Sequence, residues 1–273
     1  MKEKTTTTRP KVIFFDLDGT LFDDNHSLQC AINTARRTVD IPDTLSIETL
    51  TTCYLIARTK THDLILQGDF TEEQIREKRT RHFFSLIGLS DYGEEQVKAF
   101  GDTYKKAYRS SRRATPGTIE TLTKLREMGY KIAIITNGSE DSQQDKINQI
   151  GIAHLVDRLF ASWELGWAKP DSRIFHHAMG KYDITPEMLK GKGRPYMIGD
   201  DMERDVHGAM DAGMDAIIYS PACAGAAPAS SDAVPVIFGN MTQLLSIMKV
   251  DAGRKSRKNR KSRDDHWYKC TIF

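Results

Sequence analysis

Five short apolar runs, Lys11-Val12-Ile13-Phe14-Phe15, Lys131-Ile132-Ala133-Ile134-Ile135, Leu159-Phe160-Ala161, Tyr196-Met197-Ile198 and Ala216-Ile217-Ile218, constrain this chain more than any other feature. Runs of β-branched and aromatic residues without polar alternation suit strands buried on both faces. Segments with helical spacing separate them. Thr118 to Gly129 carries Ile119, Leu122 and Leu125 before a terminal glycine, and Ser172 to Tyr182 and Arg204 to Ala212 are patterned similarly. Repeated strand–helix units of this kind imply an α/β fold, with a parallel sheet and helices on both faces.

The alternation is interrupted once. Between Asp24 and Arg113 the chain has no strand signal and reads as four polar helices, Ser27 to Val39, Ile47 to Thr59, Thr71 to Leu86 and Glu94 to Tyr108. Thr71-Glu72-Glu73-Gln74 has the form of a capping box, in which the Thr and Gln side chains satisfy each other's backbone N–H. The region ends near Pro116-Gly117. The expected organisation is therefore an α/β core over residues 11–23 and 114–250, an inserted all-α cap over 24–113, and a basic tail over 251–273 that is expected to be disordered.

Composition narrows the class. A charged fraction of 28% over 273 residues, with no run near the roughly 20 apolar residues of a spanning helix, excludes an integral membrane protein. Cys30, Cys53, Cys223 and Cys270 are scattered without a CxxC pair, which argues against a disulfide or zinc framework and for a reducing compartment such as the cytoplasm. The first residues, MKEKTTTTRPK, lack an apolar leader and place Lys2 rather than glycine second, so neither secretion nor myristoylation is expected. The whole-chain charge of +2 conceals an asymmetry: residues 251–273 hold eight Lys/Arg against three Asp, so the tail carries +5 and the body −3. By charge, the body is not a nucleic-acid binder.

Four segments could carry chemistry. The first apolar run ends in Asp16-Leu17-Asp18-Gly19-Thr20, two carboxylates at the carboxyl end of a strand, where α/β ligand crevices form. Strand alternation would aim both the same way, and a hard divalent ion such as Mg2+ would relieve their repulsion. Read as bland structure, the same acids are a solvated strand-end loop. The second run ends in Thr136-Asn137-Gly138, which offers neutral donors for an oxyanion but is also ordinary turn chemistry. Lys169 precedes Pro170 and Asp171 at a helix start; a lone Lys is commonly a surface residue. The fourth, Gly199-Asp200-Asp201-Met202-Glu203-Arg204-Asp205, supplies up to three aspartates after another strand, or merely a helix cap. Their common order at one sheet edge argues for a single site.

In that order, DLDGT, TNG, KPD and GDDMERD resemble the four motifs of the haloacid dehalogenase (HAD) superfamily, and the likeness spans Lys11 to about Ile218. An insertion between the first two motifs resembles the subfamily with a C1-type cap on a Rossmann-like core. Residues 168–218 are most similar to intracellular phosphatases such as pyrimidine nucleotidases and N-acylneuraminate 9-phosphatases. The resemblance implies that Asp16 is a nucleophile forming an aspartyl-phosphate, and that Asp18 protonates the leaving oxygen and later deprotonates water. It further implies that Asp16, the backbone carbonyl of Asp18 and Asp200 hold Mg2+, with Asp201 or Asp205 in support. Thr136, Asn137 and Lys169 would neutralise the phosphoryl oxygens. Dehalogenases of this family resemble one another in carrying Tyr where this chain has Asp18, so phosphoryl transfer is favoured. A phosphomutase, or a catalytically idle scaffold recruited through its tail, are the other readings.

The cap offers Arg58, Lys60, His62, Arg76, Lys78, Arg79, Arg81, His82 and Arg109, with Tyr54, Phe70, Phe83 and Phe84, as groups that could meet a leaving group. As bland structure they are solvated helix faces and a cap core. The expected substrate is a small phosphorylated metabolite (nucleotide, sugar, polyol or terpenyl phosphate), and no specific nucleic acid is expected. Cys270-Thr271-Ile272-Phe273, after the basic run Arg254 to Arg263, resembles a prenylation box with a polybasic segment, which would give peripheral membrane attachment. A nuclear-import-like cluster or nonspecific RNA contact would also account for the basic run. The sequence assigns no oligomeric state.

Overall fold

The computed structural model describes residues 11–67, 70–190, 193–221 and 234–248. Six parallel strands form one sheet: β1 (Val12–Phe15), β2 (Lys131–Thr136), β3 (Arg158–Ala161), β4 (Tyr196–Gly199), β5 (Asp215–Ser220) and β6 (Val236–Phe238), in the order β3-β2-β1-β4-β5-β6. β1 lies at the centre, pairing Phe15 with Ile134 of β2 on one side and with Ile198 of β4 on the other. The order reverses there, which is where open α/β sheets bind ligands.

Strand alternation explains why the runs are apolar throughout. Ile13 and Phe15, with Ile132, Ile134 and Ile198, join a cluster with Leu122, Leu125, Met241 and Leu244. Val12 and Phe14, with Ala133, Ile135 and Met197, join the opposite cluster with Ile174, Phe175, Ala178 and Met179. Consecutive side chains point to opposite faces, and a helical layer covers each face, so every position in the strand is buried. Those layers are α5 (Thr118–Glu127) and α6 (Glu140–Gln149) on one side and α8 (Ser172–Gly180) on the other, with the single turns α7 (Ser162–Leu165) and α9 (Gly208–Asp211) between strands.

The insertion is helical, as its texture implies: α1 (Asp24–Ala35), α2 (Ile47–Gln67), α3 (Glu72–Leu86) and α4 (Glu94–Ser110). It has its own core, in which Leu28, Ile32, Leu50, Tyr54, Phe83, Phe84, Val97 and Phe100 are buried. Tyr54 stacks on Tyr104 at 4.4 Å between ring centroids, and Phe83 meets Phe100 at 5.4 Å. Most of the cap aromatics are therefore packing residues. The capping box forms as expected, with Gln74 N donating to Thr71 Oγ1 (3.3 Å) and Thr71 N to Gln74 Oε1 (2.8 Å). The two chain crossings lie side by side: Phe22 bridges Ala114, Asp23 N donates to Arg113 O (3.0 Å), and Arg113 pairs with the Asp23 carboxylate (2.8 Å).

Some details differ from the sequence expectation. α1 begins at Asp24, because the Asp23 carboxylate caps it by accepting from His26 N (3.1 Å). α2 continues eight residues beyond Thr59, with the Thr61 hydroxyl donating back to Ala57 O (2.9 Å) within the helix. The segment Met202–His207 winds as a π-helical turn before α9. β6 was not expected, since a three-residue run between Pro235 and Gly239 is too short to signal itself. Cys223, Cys270 and the basic tail lie outside the described residues.

Candidate active site

All four sequence segments meet at the carboxyl edge of the sheet, around the β1–β4 junction. Asp16 follows β1 directly and is fixed by its own N–H, which donates to Ile198 O of β4 (2.8 Å). Asp200 and Asp205 follow β4. Asp16, Asp200 and Asp205 each place a carboxylate oxygen within 4.8 Å of the others. Between two of them sits Lys169, only 5% exposed, with Nζ 2.5 Å from Asp16 Oδ1 and 2.6 Å from Asp205 Oδ1. This lysine is buried and doubly paired, not a surface residue.

The electrostatics show what the cluster suits. Burial pushes the Asp16 carboxyl up to about 7; Lys169 opposes the rise, and the charges of Asp205 and Asp18 add to it. Asp200 is pushed up to about 8 by packing around its carboxyl and then by Asp16 and Asp205, although the residue as a whole reaches solvent. With all three aspartates ionised against one lysine, hard oxygen donors carry an excess of two negative charges, the repulsion that adds to burial in raising Asp16 and Asp200. That donor set and charge fit a divalent ion of the Mg2+ type.

Asp201 is not brought into this cluster. Its carboxylate caps the following turn, accepting from Glu203 N (3.0 Å) and Arg204 N (2.7 Å) and pairing with Arg204. Of the two supporting aspartates weighed from sequence, the geometry gathers Asp205 and assigns Asp201 to the cap. Asp18 holds a different cation from Asp16: Lys146 Nζ lies 2.6 and 2.7 Å from its two oxygens. β1 ends at Phe15, so strand alternation no longer governs where Asp18 points.

Thr136 is buried at the end of β2, and its hydroxyl accepts from Gln143 Nε2 (2.9 Å). The same amide donates to Asp18 Oδ2 (3.1 Å) and Asn137 O (3.1 Å), joining the β1 loop to the β2 loop. Asn137 forms a two-way clasp with the backbone of Lys169: Nδ2 donates to Lys169 O (3.0 Å) and Oδ1 accepts from Lys169 N (2.8 Å). Its side chain thus positions the lysine. Sequence reasoning missed Gln143 and Lys146, both on α6. The available signal was their i, i+3 spacing on the helix that directly follows Thr136-Asn137-Gly138, which puts both on one face.

Two glycines allow the close packing. Gly19 has a φ of +90°, and a Cβ there would strike the Asp200 carboxylate. A Cβ on Gly199 would overlap the Asp205 carboxyl group. Gly199→Ala is accordingly expected to fold but to displace Asp205, weakening Mg2+ binding by about tenfold or more. Titration calorimetry checks this; unchanged affinity would remove Asp205 from the ion's surroundings.

Above the sheet edge, a cavity of about 820 Å³ opens between core and cap, lined by Asp18, Asn137 and Lys146 below and by Tyr54, Arg58 and Arg79 above. A six-stranded parallel sheet with acidic strand ends under an inserted helical cap defines the class: an α/β core with a cap domain over its ligand edge. The chain belongs to the haloacid dehalogenase-like hydrolase family, whose sequence profile matches residues 13–219. It is 32% identical over 216 residues to a glyceraldehyde 3-phosphate phosphatase of Methanothermobacter thermautotrophicus, covering 77% of this chain and 85% of that one. A phosphoglycolate phosphatase of Pasteurella multocida is 24% identical, with 88% of this chain and 99% of the relative covered. Among solved structures, the HAD hydrolase YfnB of Bacillus subtilis, determined with magnesium, shares the fold with a TM-score of 0.63 at 19% identity, covering 88% of this chain and 99% of that one.

Proposed function

We propose that this chain is a Mg2+-dependent phosphatase that hydrolyses a small phosphomonoester through an aspartyl-phosphate on Asp16. The observation that carries the reading is the pairing of two differently held aspartates: Asp16 beside a buried lysine and an acidic cluster, and Asp18 at the cavity with its own cation. The phosphatase names of its relatives support the reaction class.

Asp16 attacks phosphorus and displaces the leaving oxygen, to which Asp18 delivers a proton. Asp18 then takes a proton from water as that water attacks the aspartyl-phosphate, releasing phosphate and regenerating Asp16. Lys169 and the Thr136 hydroxyl face the phosphoryl oxygens with preorganised positive charge and a donor. Asn137 keeps Lys169 in register. Asp16, Asp200 and the backbone carbonyl of Asp18 would hold Mg2+, with Asp205 beside them. The ion would supply further charge neutralisation at the phosphoryl group. An aspartate at position 18 suits a leaving group that needs a proton, which a halide does not.

We read residues 11–23 and 114–250 as the core and 24–113 as the cap, a division that the paired crossings at Phe22 and Ala114 support. Among the described residues, no helix is long and apolar enough to cross a membrane. Our reading of the remainder is a cytoplasmic enzyme whose basic tail, with a prenylated Cys270, gives peripheral membrane or nuclear recruitment.

The test is phosphate release from p-nitrophenyl phosphate and a panel of small phosphomonoesters, in Mg2+ and in EDTA. Release that needs Mg2+ is expected. Mg2+ should also raise the melting temperature, since a ligand at 100 times its Kd stabilises by about 2.7 kcal/mol. A folded protein that shows no shift and releases no phosphate from any panel member would overturn the reading.

A further inference from the structure

The far wall of the cavity carries a feature that phosphate chemistry at the sheet edge does not use. Most lining cations are neutralised in place. Arg58 pairs with Asp24 at 2.8 Å, Arg76 with Asp102 at 3.5 Å, and Lys146 with Asp18. Arg109 and Arg112 share the single carboxylate of Asp145 at 2.8 and 2.7 Å. Arg79 of α3 differs. It lines the cavity partly buried, and among the described side chains no carboxylate pairs with it.

Its neighbours are neutral and fix its pose. Arg79 Nε donates to Thr61 Oγ1 (3.2 Å), whose own proton goes to Ala57 O (2.9 Å). Tyr54 is adjacent: burial raises its hydroxyl above the ordinary value while the Arg79 charge pulls it down. With Nε on Thr61 and a further hydrogen bond to the Tyr54 hydroxyl, neutral partners hold the guanidinium as a planar fork, the geometry that matches a carboxylate or phosphate. A half-desolvated guanidinium is costly unless an anion meets it. Ile75, one turn before Arg79, adds an apolar wall, and Lys105 and Asp141 at the rim are solvent-exposed.

We propose that the cap side of this cavity is a subsite for a second anionic group, carried on the leaving portion of the substrate and held by Arg79. The proposal rests on the phosphatase reading and deepens it: the substrate is a phosphomonoester with a distal carboxylate or second phosphate. The phosphoryl group occupies the β1–β2 edge, and the distal anion reaches α3 across the cavity.

Two matched pairs separate the anion sources: 3-phosphoglycerate beside glycerol 3-phosphate, and fructose 1,6-bisphosphate beside fructose 6-phosphate. Each is assayed with wild type, Arg79→Gln and Arg79→Lys, with p-nitrophenyl phosphate as a monitor. In at least one pair, wild type should favour the anion-bearing member by about tenfold or more in kcat/KM. Arg79→Gln should collapse that ratio toward one, chiefly through KM. Arg79→Lys, which keeps the charge without the fork, should retain part of it. Equal turnover within both pairs by wild type, or a ratio unchanged in Arg79→Gln, overturns the subsite. Failure to hydrolyse any compound, p-nitrophenyl phosphate included, overturns instead the phosphatase reading beneath it.

Discussion

Asp16→Asn should abolish turnover, on the order of 10⁴-fold or more, while the protein stays folded. Asparagine matches aspartate in shape but cannot form the acyl-phosphate, and Lys169 keeps Asp205 as a partner, so the packing survives. The variant should also melt no lower than wild type at pH 8 in EDTA. A carboxyl raised from 3.8 to about 7 by folding binds its proton more tightly in the folded state, so stability falls as pH rises through that window. Removing the charge above that window removes the penalty. Steady-state phosphate release and thermal melts check both parts; appreciable residual activity would exclude Asp16 as nucleophile.

Lys169→Met should lower kcat by roughly 10²–10³-fold and destabilise the protein by about 3–5 kcal/mol. Its ammonium touches Asp16 and Asp205 at 2.5 and 2.6 Å in a site closed to water, so its loss leaves two buried carboxylates facing each other. Mg2+ should recover part of the melting temperature but little of the rate, because the lysine also faces the phosphoryl oxygens. Arg is no substitute, since the gap between the two oxygens fits one compact ammonium. Melting curves with and without Mg2+, set beside kcat, separate the effects. Unchanged kcat in a destabilised protein would leave Lys169 a purely structural role.

Five of the six strands were legible because burial on both faces writes continuous apolar runs, and the cap because its helices carry caps and polar periodicity. Asp16, Asp200 and Lys169 were legible as candidates because each lies just after a strand or just before a helix. What escaped was set by contacts between distant segments. Gln143 joins Asp18 and Thr136 from a helix whose sequence looks like an ordinary polar surface. Asn137 reads as a phosphate donor, and only the fold shows its amide clasping Lys169. Asp201 and Asp205 are interchangeable acids in one dimension; the π-helical turn sends one toward the cluster and the other to the helix cap.

The side-by-side crossings at Phe22–Ala114 and Asp23–Arg113 have a mechanical consequence. Two adjacent tethers resist sliding and leave rotation as the easy motion, so the cap behaves as a lever with its fulcrum at the sheet edge. α1 and α4 rise directly from that fulcrum, whereas α3 joins it only through the helices before and after it, α2 and α4. A given rotation moves a segment set away from the fulcrum through a longer arc than one beside it. A grip between substrate and α3 therefore holds the lid shut with greater torque than the same grip near the hinge.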